Sequence, residues 1–133
     1  PVFYWESDNC SSSNCNIGIR VCEFNPNDHS SLSEAIESNS LIPIDQSIDF
    51  FTLDSTAMSF QYPILGAESL VEGNYYVWQL NRTYLTTVGE ESLYSDIFAF
   101  KLHSFENVNL SISSNLELIK IYIFKNNYIL YYK

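Results

Sequence analysis

The feature that most constrains this chain is the run Leu70-Val71-Glu72-Gly73-Asn74-Tyr75-Tyr76-Val77-Trp78-Gln79-Leu80, in which a turn signal leads into strict alternation. Gly73 supplies the tight bend. Beyond it Tyr76, Trp78 and Leu80 fall on one face of a pleated strand, while Tyr75, Val77, Gln79 and Asn81 fall on the other. A strand with a tyrosine, a tryptophan and a leucine on one face is a buried strand, with Leu70 anchoring the turn below it.

Composition points the same way. Ten Tyr, nine Phe and two Trp, in a chain that is 46% hydrophobic and short of Ala and Lys, favour pleated surfaces over helices. A length of 133 residues gives one ordered domain with ample core material. Six Lys+Arg stand against 16 Asp+Glu, a formal net charge of −10, which repels phosphate backbones and anionic lipid surfaces and argues against nucleic-acid binding. No run of 18 apolar residues spans a bilayer, and no basic segment leads into an apolar one. The chain opens at Pro1 directly on an apolar stretch, which reads as a processed product or an excised piece of something longer.

In chain order, Pro1 to Trp5 alternates and reads as the end of a strand, and the polar loop from Glu6 to Asn14 carries Cys10. A second strand follows from Asn16 to Phe24, with Ile17, Ile19 and Val21 on one side and Gly18, Arg20 and Cys22 on the other. Ser31-Leu32-Ser33-Glu34 has capping-box spacing ahead of Ala35 and Ile36, so one or two helical turns are expected there. Between Leu41 and Pro63 two short strands are expected, near 48–53 and 57–62. The central strand continues to Tyr84, residues 86–91 read as an exposed loop, and a further strand runs from Asp96 to Leu102 with Phe98, Phe100 and Leu102 on one face.

Composition shifts near Asn115. Lys120, Lys125 and Lys133, half of the basic residues, oppose only Glu117 in the segment 116–133. Its apolar runs on either side of Lys125-Asn126-Asn127 read as a C-terminal hairpin or strand extension. The division expected is therefore 1–115 for the domain and 116–133 for its tail.

Taken together, Phe3-x-Trp5, Ile17-x-Ile19-x-Val21, Leu70-x-x-Gly73-x-x-Tyr76-x-Trp78-x-Leu80 and Phe98-x-Phe100 resemble the fibronectin type III and related immunoglobulin-like modules of bacterial secreted and cell-surface proteins, over about residues 1–102. The resemblance implies an all-β sandwich in which Tyr76 forms a tyrosine corner, its hydroxyl bonding back to the preceding turn, with Trp5, Leu70, Trp78, Leu80, Phe98 and Phe100 as core. It also implies that the first strand lies upstream of Pro1. That leaves a sheet edge open, and the apolar tail is suited to add to it, either in its own chain or in the next copy to give a filament.

Little chemistry is legible. No G-x-S-x-G, G-x-G-x-x-G, P-loop or H-E-x-x-H occurs, and His29 and His103 stand alone in their segments. Cys10 and Cys15 flank a short loop and are expected to bridge, which places the chain in an oxidising compartment. Cys22, turned away from the core, is left as a free or intermolecular thiol. A zinc set from Cys10, Cys15, Cys22 and His29 matches no usual finger spacing. Asp45, Asp49 and Asp54 are weak calcium candidates, since they do not form a D-x-D-x-D loop and solvated surface charge is the better reading; no cofactor is expected. An acidic pair of Glu90 or Glu91 with Asp96 lacks an apolar setting that would raise one carboxyl. Sequons begin at Asn9, Asn81 and Asn109, of which Asn81 and Asn109 are expected to be exposed.

The role expected is a non-catalytic structural or adhesive module of a secreted or cell-surface protein, associating with protein partners or with itself through an open sheet edge. The alternative is a carbohydrate-binding accessory module of a secreted polysaccharide-degrading enzyme, with Tyr75, Val77 and Tyr84 as the candidate platform, although such a face is more often covered by neighbouring strands or the helix.

Overall fold

A computed structural model describes residues 1–6, 14–103, 121–124 and 127–131. The described residues are predominantly β, in antiparallel sheets with one short helix. Its centre is the pair β2 (Cys15–Phe24) and β6 (Tyr75–Thr86), joined in register from Cys15↔Tyr84 to Phe24↔Tyr75. Alternation sets their faces. Ile19, Val21, Tyr76 and Trp78 are buried on one side, and Cys22 and Val77 on the other.

A two-stranded sheet of β1 (Val2–Tyr4) and β5 (Ser59–Gln61) lies across the first face. Phe3 joins the layers: its ring centroid is 5.1 Å from that of Trp78, 5.6 Å from Phe100 and 6.2 Å from Phe60. The second face is covered by α1 (Leu32–Ile36), a helix too short to persist without tertiary packing. It is fixed in three ways. The Ser31 hydroxyl accepts from the Glu34 N–H at 3.1 Å, and the Glu34 carboxylate accepts from the Ser30 N–H and hydroxyl, one residue earlier than the ideal capping box reaches. Those bonds hold the Glu34 carboxyl below its ordinary range. Ala35 and Ile36 bury against Cys22 and Val77. At the C-terminal end, Arg20 donates to the Ile36 and Ser38 carbonyls at 2.7 and 2.8 Å, satisfying acceptors that a helix end leaves orphaned.

Both edges of the central pair are built in pieces. Along β2 lie β3 (Ser40–Ile42) and β4 (Phe51–Leu53). Along β6 lie β7 (Gly89–Tyr94) and then β8 (Phe98–His103). Ser95 makes the joint, since its N–H donates to the Leu80 carbonyl and its hydroxyl accepts from the Leu80 N–H at 3.0 Å. Finally β9 (Ile121–Phe124) and β10 (Asn127–Tyr131) form an antiparallel pair, and β10 adds to β8 with Tyr128 opposite His103. The described strands of the tail therefore extend the larger sheet, and neither of them pairs with β1, beside which the open edge was expected.

Two expected features differ. The segment 86–91 is mostly strand: β7 pairs with β6 from Thr86↔Gly89 to Asn81↔Tyr94, and its polarity reflects exposure of all six residues. Phe98 is 38% exposed and not a core residue, although its ring stacks on Trp78 at 4.8 Å. At the other end of β6 the Tyr76 hydroxyl accepts from the Val71 N–H at 2.7 Å and lies 3.3 Å from the Val71 carbonyl, tying the strand to the preceding turn. Burial pushes the Tyr76 hydroxyl upward, and that of Tyr62, which donates to the Glu68 carbonyl, up to about 12.

Candidate functional site

Cys22 is on the face expected, away from the main core, but it does not face solvent. Helix α1 covers it completely, at 0% exposure, and its thiol is within reach of the Ile36 and Ser38 carbonyls at 3.4 and 3.8 Å. It is free, and burial raises its pKa against the opposing pull of Arg20. An intermolecular bridge from this position is therefore excluded while α1 is docked. Native protein should resist alkylation at Cys22 under conditions where the denatured chain reacts fully; rapid labelling of the native protein would mean that α1 does not cover the sheet. Cys15 is buried and is not a free thiol, and Cys10 lies outside the described residues, as does the pairing between them.

The aspartates do not converge. Asp45 accepts from the N–H and hydroxyl of Ser47, and Asp54 from those of Thr56, so each closes its own turn and is held below the ordinary carboxylate range by those bonds. Among the described residues no three His, Cys, Asp or Glu side chains are grouped to hold a metal ion, and Cys10 of the zinc set lies outside them. His29 accepts from the Asn25 N–H at 3.1 Å and stacks on Phe24. Glu90 and Glu91, adjacent on β7, point to opposite faces, and both are exposed.

The platform expected from Tyr75, Val77 and Tyr84 is not formed. Val77 is buried beneath α1, Tyr84 packs beside Cys15 and Ile17, and Tyr75 carries the Lys101 ammonium 4.9 Å above its ring. Asn81 is half-buried on β6, opposite Gly18 on β2, and less exposed than expected. Asn9 and Asn109 lie outside the described residues. Trp5 packs at the margin of the core with its indole N–H buried and unpartnered.

The outer edge of β7 is exposed. The Leu85 N–H donates to the Asn14 carbonyl, so the odd residues at this end of β6 bond to β2 and the even ones to β7. Glu91 and Leu93, opposite Tyr84 and Arg82, therefore turn their backbone groups into the ladder. Glu90, Ser92 and Tyr94 turn theirs outward, and no described strand covers them. Leu85, Val88, Leu93 and Tyr94 make this hairpin an exposed apolar surface as well. Sequence reasoning missed the edge because β7 has no buried face and hence no apolar period. A polar strand that pairs well is betrayed only by Gly89 at the turn.

No family model, no curated protein and no solved structure matches this chain.

Proposed function

We propose that this chain is a non-catalytic structural or adhesive module of a secreted or cell-surface protein, and that it associates with a second copy by strand addition at β7. The observation that carries this reading is the outward backbone row of Glu90, Ser92 and Tyr94 on a strand exposed on both faces. The same edge line, continued through β8, accepts β10 in antiparallel register, so added strands fit its twist. A two-fold pairing of β7 centred on Ser92 places Glu90 opposite Tyr94 of the second copy and Glu91 opposite its Leu93, so no carboxylate faces another across the ladder.

Support for a fibronectin-like or immunoglobulin-like module comes from the Tyr76 hydroxyl bonded to Val71 and from the β1–β5 layer packed on β2, β6 and β8. An extracellular setting with a Cys10–Cys15 bridge accords with Cys22 being the free thiol and Cys15 not being one.

The chain should show concentration-dependent dimerisation in analytical ultracentrifugation. Dimerisation should strengthen with added salt, because two copies each with a formal net charge of −10 repel until that charge is screened, over about 8 Å at physiological ionic strength. Ser92→Pro removes the central outward N–H and should abolish the dimer without changing the circular dichroism spectrum. A parent protein that stays monomeric at high concentration and high salt, or a Ser92→Pro variant that associates as before, contradicts the proposal.

A further inference from the structure

The loop ahead of β4 and the strand β7 lie on opposite sides of the β2–β6 pair, yet their aromatic rings meet above it. The Phe50 and Tyr94 centroids are 5.8 Å apart, with the planes inclined at 44°. Gly18 and Asn81, cross-strand partners in the sheet, belong to the floor beneath. The crossing depends on Gly18, because a β-carbon there would sit 2.8 Å from the Phe50 Cβ and 2.3 Å from the Asn81 Oδ1. Two cavities share Asp49 and the Phe50–Tyr94 crossing. One, of about 310 Å³, is floored by Asn81, Thr83 and Ser92; the other, of about 370 Å³, is walled by Arg20 and Gln79. Both fall at the lower end of the range for small-ligand pockets, about 300–1,000 Å³.

We propose that this bipartite cleft binds a neutral saccharide, with the Phe50–Tyr94 crossing as its stacking surface. Tyr94 is 61% exposed, so a ring face is available for the C–H face of a pyranose. The floor offers what sugar hydroxyls need: the Asn81 amide, whose Oδ1 accepts no bond from the described residues, and the hydroxyls of Thr83 and Ser92. All three stand on paired strands, so the cleft is preorganised.

The alternatives fit less well. An anionic ligand meets Asp49 and Glu90 on a chain of net charge −10. Arg20, the cation in the wall, already donates from Nε and both terminal nitrogens to the Ile36, Asp49 and Ser38 carbonyls. A peptide strand finds a floor whose backbone is already paired between β2 and β6. The proposal is independent of the β7 edge, since it uses side chains above the sheet and not the outward backbone row.

Affinity electrophoresis against galactomannan, xyloglucan, laminarin and hydroxyethylcellulose, with polygalacturonate as the anionic comparison, tests it. At least one neutral polysaccharide should retard the parent. Tyr94→Ala should weaken that retardation at least tenfold, and Asn81→Ala should weaken it too, with unfolding midpoints close to the parent's. Tyr75→Ala, which removes an exposed aromatic on the same face but outside the cleft, should leave retardation unchanged. Asn81→Ala, which changes a residue of β6 and not of the outer edge of β7, should still dimerise, which separates this result from the edge proposal. The proposal is overturned by no retardation on any neutral polymer, by retardation on polygalacturonate alone, or by full retention in folded Tyr94→Ala.

Discussion

Replacing Trp78 by alanine lowers the unfolding free energy by about 3–5 kcal/mol, the usual cost of deleting a large aromatic from a packed core. The expectation follows from its position at the junction of three elements. Trp78 stands on β6 opposite Val21 of β2, stacks on Phe98 of β8 at 4.8 Å, and meets Phe3 of the covering sheet at 5.1 Å. Nothing nearby is free to fill the gap, because Phe3, Val21, Tyr76 and Phe100 are themselves buried. Its indole N–H is also buried without a partner. Trp78→Phe should therefore cost much less than Trp78→Ala, because it keeps most of the packing and removes an unsatisfied donor. Chemical denaturation of both variants checks this. Equal losses would mean that the indole N–H is bonded in solution, and a Trp78→Ala midpoint near the parent's would place the residue on the surface.

Gly18→Val gives the second large effect, and here strand propensity and geometry disagree in sign. Valine suits a strand better than glycine does, so propensity alone predicts a gain. The structure predicts a loss of about 1–3 kcal/mol from overpacking. The Asn81 amide can swing aside, but the Phe50 Cβ is part of a loop whose backbone is held by Arg20 donating to the Asp49 carbonyl at 2.8 Å. Seating a side chain at Gly18 therefore requires that loop to lift and the Phe50–Tyr94 contact to part. A thermal midpoint above the parent's would show that Phe50 does not lie over Gly18.

Legibility in the sequence followed how local each feature is. The central strand announced itself because one face is buried and its period is unbroken, and β2 and α1 were readable for similar reasons, through alternation and a cap. Val77 was read as surface because a five-residue helix covers it from more than forty positions away, and no pattern within β6 registers that cover. β3 is three residues long and pairs beside a register shift in β2, too short to show a period. The cleft was invisible for the same reason at longer range. Phe50 and Tyr94 lie in separate segments, and only the pairing of β2 with β6 and of β6 with β7 brings them together. For the face of Tyr75, Val77 and Tyr84 the sequence favours cover by neighbouring strands or the helix over an open platform, and α1 and neighbouring side chains do occupy it.

Residue-resolved amide exchange tests the central claim, the open edge at β7, most directly. In dilute solution the amides of Glu91 and Leu93 should be protected while those of Glu90, Ser92 and Tyr94 exchange rapidly, and at concentrations where the dimer forms the latter three should become protected too. Protection of Glu90, Ser92 and Tyr94 in the dilute monomer, or their continued rapid exchange in the dimer, would contradict it.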